Sequence, residues 1–399
     1  MFGNMMLRQK LMLGASFLAI IPIVIASLAL GWTAVDDAHD AMAERAEAQL
    51  VSLREVKRTQ ISDYFDNIRN QVLTLSNDRM IIEFAIALPE AYNNFPSEFA
   101  GGEDTQRLRS NLGDYYNQQF TPEFNRLNSG VTSPASSWLS RLDKEGVALQ
   151  YQYIQANPNA LGSKNGMSDP KDGTGYSRLH ALYHPHINDF LEKFGYYDIF
   201  IVDPKSGDVV YSVYKELDFA TSLTSGPFAS TGLGKAYQAV VNSSFADAVA
   251  IEDFATYGPS YNNVASFVAS PIYDGGKLVG VLVFQTPIAK INEVMTSARR
   301  WAEVGLGASG ETYLVGPDRK MRNDSRFLID DKTGYLQALT DAGTSRDVLE
   351  SISAKDTSIG LAQVSSSSAL NALAGQSGFQ IIPDYRGVPV LSAYGPVDI

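Results

Sequence analysis

The chain has 399 residues, 45% of them hydrophobic and 11% aromatic, and a formal net charge of -12 from 32 Lys+Arg against 44 Asp+Glu. That length allows about two domains with connecting pieces, and that apolar content excludes bulk disorder. The acidic balance excludes the basic face a nucleic-acid partner needs, and the absence of cysteine excludes disulfides, thiol catalysis and cysteine-ligated metals.

Residues 11–32, LMLGASFLAIIPIVIASLALGW, carry no charged side chain. As a helix at ~1.5 Å per residue they reach roughly 33 Å, enough for a bilayer core. Arg8 and Lys10 precede this run and Asp36 and Asp37 follow it. The positive-inside rule then predicts cytoplasmic residues 1–10, a transmembrane helix at 11–33, and residues 35–399 exported to the periplasmic or otherwise extracytoplasmic side. A cleaved signal peptide competes, with residues 27–29 as the cleavage site, but the apolar run exceeds the usual roughly 7–15 residues. A buried core helix is the third reading.

Residues 34–78 are expected to form a long stalk helix. No Pro or Gly occurs from 35 to 75, and Leu50, Leu53, Ile61, Tyr64, Ile68, Val72 and Leu75 recur mostly at three and four residues. Residues 79–300 are expected to form one module. Loops at 94–102 and 156–175 alternate with short helices such as 105–119. Strands are expected at 197–202 and 209–214 around a Pro/Gly/Asp turn, at 248–254, and at 265–272 and 278–285 around a second turn, before a helix over 288–300. Residues 301–399 repeat the theme: a strand at 311–315, helix and loop at 329–377, and a hairpin from 379–382 and 388–394. The class is therefore α+β, with two similar antiparallel modules. The second ends straight after its hairpin, and a longer parent protein is expected.

Little in the chain reads as catalytic. His180, His184 and His186 cluster, but Pro185 is expected to break their helix, and a structural role is the reading favoured over metal binding. The glycines between 305 and 310 precede a strand rather than opening a helix, so they make no phosphate loop. No G-x-S-x-G elbow occurs. The pairs Glu216/Asp218 and Glu252/Asp253 are what an acidic chain produces by chance. No cofactor is expected.

Binding chemistry is better supplied. Residues 252–263 place acids, phenols and amides beside the second hairpin. The candidate ligand-binding residues are Tyr214, Lys215, Asp253, Tyr257, Tyr261, Asn263 and Gln285. Strand alternation puts Val281, Val283 and Gln285 on one face and Leu282 and Phe284 on the other. Gln285 is then a lone amide among apolar neighbours, with Tyr257, Tyr261 or a ligand as its partner. An amide suits a neutral or modestly polar group better than an ammonium. Lys215 would add a positive charge for an acidic ligand.

Several segments carry a family resemblance. They are residues 60–65 (QISDYF), 71–76 (QVLTLS), 194–203 (FGYYDIFIVD), 280–285 (GVLVFQ), 310–316 (GETYLVG) and 385–391 (YRGVPVL). Together the layout resembles the double Cache (tandem PAS-like) sensor region of bacterial methyl-accepting chemotaxis proteins. The resemblance implies two PAS-like modules, the second truncated, a ligand in the membrane-distal one, a homodimer, and a signal passed across the membrane. Similar sensors also serve membrane-bound cyclases and histidine kinases; a membrane-tethered hydrolase is the enzyme alternative. In the amino-acid-binding subclass a Tyr precedes the central hairpin and an Asp ends its last strand. Tyr257 fits the first position, but Gln285 stands at the second and no Arg-x-Trp-Tyr segment lies upstream. The chain departs from that subclass.

Overall fold

The computed structural model describes residues 6–99, 104–128 and 130–399. It is an α+β arrangement: one long N-terminal helix, a helical region, a five-stranded antiparallel sheet and a separate two-stranded hairpin. Helix α1 spans Leu7–Ser76, 70 residues without a break even at Pro22. At ~1.5 Å per residue it is roughly 105 Å long. Its apolar start has an 18-residue window of mean hydropathy 2.4 with nothing buried, long and apolar enough to cross a membrane. Burial begins further along, where Ile61, Phe65, Ile68, Val72 and Leu75 form one stripe at steps of three and four.

The sheet is built from β1 (Asp198–Val202), β2 (Val209–Ser212), β3 (Ala250–Tyr257), β4 (Asn263–Asp274) and β5 (Lys277–Gln285), in the order β2-β1-β5-β4-β3. Central β5 is buried on both faces, which is why its sequence is a near-continuous apolar run. Leu282 and Phe284 join the core beneath α1, α2 (Arg79–Phe99) and α7 (Gly175–Phe194). Val281 and Val283 face the opposite side, packing with Leu233, Ala236 and Val240 of α8 (Gly232–Val241). The expected alternation along β5 holds. Gly280 is needed where α2 crosses: a Cβ there would lie 3.1 Å from Ala85 and 3.0 Å from Ile272.

The helical region continues with α3 (Thr105–Tyr115), a π-helical turn (Tyr116–Phe120), α4 (Thr121–Leu127), α5 (Ala135–Ser140), α6 (Lys144–Gln150) and a second π-helical turn (Tyr151–Gln155). After the sheet come α9 (Ile288–Met295), α10 (Arg326–Asp330), α11 (Lys332–Asp341), α12 (Arg346–Lys355), α13 (Ser367–Leu373) and the hairpin β6 (Gly378–Pro383) and β7 (Pro389–Tyr394). A small core of Met321, Leu328, Tyr335, Leu339 and Ile352 holds this part together. Helix α1 is fastened to both parts. Tyr196 donates to Gln71 Oε1 at 2.5 Å, and Arg54 donates to Tyr394 O at 2.9 Å.

Five expectations need correction. Residues 311–315 do not form a strand, because the backbone there finds no ladder: Leu314 N–H bonds the Asn323 side chain, and only Val315 bridges Met321. Pro185 does not end α7, since His180, His184, Ile187 and Leu191 are buried on either side and the Thr174 and Gly195 caps close both ends. The helix expected over 288–300 stops at Met295, and Ser297, Ala298 and Arg299 adopt positive φ as the chain turns. The expected loop at 94–102 is helical as far as Phe99; its remainder lies outside the described residues. The strand expected at 248–254 runs instead from Ala250 to Tyr257.

Burial predicts two contrasting mutations. Phe284→Ala should cost about 3–5 kcal/mol of folding stability, since Phe284 is fully buried at the centre of the sheet. Leu18→Ala, at a position 79% exposed, should leave the denaturation midpoint of the folded region in place. Parallel chemical denaturation of the two variants checks both.

Candidate ligand-binding site

Asp198 opens β1 directly opposite Gln285, the last residue of β5. The Asp198 carboxylate is closed to solvent. Its Oδ1 accepts the N–H groups of Ile199, Val213 and Tyr214 at 2.7, 2.9 and 3.1 Å, and its Oδ2 accepts the Ser212 hydroxyl at 2.8 Å. These bonds turn the chain sharply after β2, with Lys215 at φ 56°. The turned segment then carries Glu216 and Asp218 back against the sheet. Glu216 Oε1 accepts from Tyr197 Oη at 2.8 Å, and Glu216 Oε2 accepts from Ser260 Oγ at 3.3 Å. Asp218 Oδ2 accepts from Tyr257 Oη at 2.5 Å. Gln285 Nε2 donates to Ser260 Oγ at 3.2 Å.

Two acceptors in this group have no partner: Asp218 Oδ1 and Gln285 Oε1. Each lone buried acceptor costs roughly 1–3 kcal/mol, so a buried group that keeps two of them invites a donor. The charges point the same way. Three carboxylates meet one ammonium, and that ammonium is already used. Lys215 Nζ donates to Ser212 O and Val213 O, both at 3.0 Å, and lies over the rings of Tyr211 and Tyr153. Burial pushes Lys215 below the usual lysine range, with the Asp198 charge acting against it. Burial also pushes Asp198 up, and raises Glu216 with help from the Asp218 charge.

The turn at 258–262 closes the group on one side. Gly258 lies against Trp138, whose ring would be 2.6 Å from any Cβ at that position. Tyr261 and Asn262 both take φ 57°. Asn128 Nδ2 donates to Tyr261 O at 2.9 Å from the end of α4, and Lys355 Nζ donates to Asn262 O at 2.7 Å from the end of α12. The strained backbone is thus held from the helical region and from the post-300 region at once.

Of the residues expected to bind, Lys215, Tyr257, Gln285 and the Tyr214 amide come together. Lys215 offers no free charge for an acid, and the partner of Gln285 is Ser260 rather than a tyrosine. Tyr261 lies on the flank, its ring stacked on Phe120 at 4.9 Å, and exposed Asn263 pairs with Tyr257 at the start of β4. Asp253 lies apart. Its carboxylate holds Arg322 at 2.7 Å, an arginine that also binds Asp318 at 2.8 Å. Sequence reasoning missed Asp198 and Ser260, and set Glu216 and Asp218 aside as chance. Their signal is a pair of acids two residues apart straight after a buried apolar strand.

The histidine cluster divides. His180 and His184 are buried and stacked at 4.3 Å, with His180 Nδ1 on Ser168 O, His184 Nδ1 on Tyr211 Oη and His184 Nε2 on Asn165 O. Burial first, then the Lys215 charge, lowers both, His184 to about 3. They are neutral core groups, whereas His186 is exposed. Among the described residues no group of three or more His, Asp or Glu could hold a metal ion. No protein-family model, curated protein or solved structure matches the chain.

Asp218 makes the site readable by pH. Burial first, then the Asp198 charge, raises it from 3.8 to about 7. Between roughly pH 4 and 7 the unfolded chain has released this proton while the folded chain still holds it, so this group lowers stability as pH rises. Glu216 shifts in the same direction. Asp218→Asn should therefore gain stability over wild type progressively from pH 4 to 7. Thermal melts of both proteins across that range check this; a constant difference between them would contradict it.

Proposed function

We propose that the chain is the extracytoplasmic sensing region of a membrane-anchored chemoreceptor of the double Cache, methyl-accepting type. It binds a small molecule bearing an ammonium group at the cluster of Asp198, Glu216, Asp218 and Gln285. The observation that carries this reading is the pair of unpartnered acceptors, Asp218 Oδ1 and Gln285 Oε1, in a buried group where three acids meet one lysine already bonded to backbone carbonyls. An ammonium supplies donors and charge in one group and satisfies both needs. The expectation of a neutral ligand rested on Gln285 alone, without the neighbouring acids.

The architecture supports the sensor reading. An antiparallel sheet with a helix on one face and the long helix on the other is compatible with the PAS-like form that the resemblance implies. Residues 1–10 are read as cytoplasmic, 11–33 as spanning and 35–399 as periplasmic, with a second copy pairing along α1. Binding shifts the balance between two states only by its differential affinity for them. The turn at 258–262 supplies the difference, because it carries Ser260 into the cluster while Lys355 ties it to the post-300 region. The same sensing region would serve a cyclase or kinase equally well, and neither output needs chemistry here.

The test is a thermal-shift screen of the full chain in lipid nanodiscs against ethanolamine, putrescine, alanine and their uncharged hydroxyl analogues. At least one amine should raise the melting temperature, and Asp218→Asn should abolish the rise. Equal shifts from the hydroxyl analogues, or an unchanged response in Asp218→Asn, would overturn the ammonium site. Topology is checked separately. A phosphatase reporter fused after Arg45 should be active, and one active only in the cytoplasm would reverse the orientation.

A further inference from the structure

A cleft of about 410 Å³ opens in the helical region, and none of its lining residues belongs to the sheet cluster. Asn111, Asp114, Tyr115 and Gln118 line one wall, and Gln155 and Lys164 the other. Both walls are irregular in the same way. Helix α3 passes into the π-helical turn Tyr116–Phe120, and α6 passes into the π-helical turn Tyr151–Gln155. A π turn wastes helix hydrogen-bond geometry and recurs where side chains must be re-aimed for function. Here two of them flank one opening.

Polar satisfaction is incomplete at the same place. Tyr115 Oη and Gln155 Oε1 are shielded from solvent and have no hydrogen-bond partner. The one cation, by contrast, is committed. Lys164 Nζ donates to Asn157 O at 2.8 Å and Asn159 O at 2.6 Å, and lies over the Tyr115 ring at 5.3 Å. The cleft thus presents amides and a phenol, groups that both donate and accept, beside the exposed Asp114 carboxylate, with its one cation turned to backbone carbonyls. Hydroxyls match that demand, because each also donates and accepts. An anionic ligand would find no free counter-charge in Lys164.

We propose that this cleft is a second binding site, for a neutral polyhydroxylated molecule of monosaccharide size. Small rotations of Tyr115 and Gln155 bring their unpartnered atoms to the ligand, and α3 and α6 are drawn together across it.

The experiment is isothermal titration of the full chain in lipid nanodiscs with glucose, galactose, ribose, glycerol and glucuronate. One neutral sugar should bind. Tyr115→Phe and Gln155→Met should each weaken it roughly tenfold, the size expected for one lost hydrogen bond to a ligand. Lys193→Ala, exposed on α7, should leave the affinity unchanged. A second readout guards against misfolding: Tyr115→Phe removes an unsatisfied hydroxyl, so the unliganded melting temperature should hold or rise. Absence of binding by every neutral sugar overturns the proposal. So does binding that neither variant weakens, or a roughly tenfold preference for glucuronate over glucose.

Discussion

A carboxylate shut away from water must be saturated with donors or it will not stay charged, and Asp198 meets that condition almost entirely from the backbone. Its four hydrogen bonds join the start of β1 to the end of β2 and to the two residues beyond. That constraint forces the turn at Lys215, and the turn delivers Glu216 and Asp218 to the sheet face. The site is therefore a by-product of one saturated carboxylate generating two less saturated ones. Asp198 and Asp218 differ in role for this reason: the first is spent on folding, the second keeps an oxygen in reserve.

The same logic links the regions of the chain. The turn at 258–262 cannot hold two consecutive left-handed residues by itself, so Asn128 and Lys355 hold it from opposite sides. Arg322, buried at 4% side-chain exposure, joins Asp253 of the sheet's edge strand to Asp318. The two links to the post-300 region each use a cation, Lys355 on the turn carbonyl of Asn262 and Arg322 on Asp253. In the proposed sensor, these are the places where a change at the cluster becomes a change beyond residue 300.

What the sequence made legible follows from what each residue depends on. Strands β1, β4 and β5 are long buried apolar runs, and such runs announce themselves without knowledge of their neighbours. The edge strand β3 buries only Phe254 and Tyr257 and carries an irregularity between Glu252 and Ala255, which blurs its limits in the sequence. Residues 311–315 look like a strand in composition, but a strand exists only with a partner. Gln285 stood out because an amide among valines needs an explanation. Asp198 and Asp218 did not, because in a chain this acidic a buried carboxylate and a solvated one are written with the same letter. Pro185 misled for the opposite reason: a local rule was overruled by packing on both of its flanks.

Helix α1 has a mechanical consequence. Between Thr33 and Ser76 it contains neither glycine nor proline, and its last turns are bedded against the sheet. Its helix-softening residues, Gly14, Pro22 and Gly31, all lie in the apolar stretch. Stiffness and compliance are thus segregated along a single rod. A displacement imposed on the bedded end reaches Trp32 undiminished, and bending is confined to the part that a bilayer would surround.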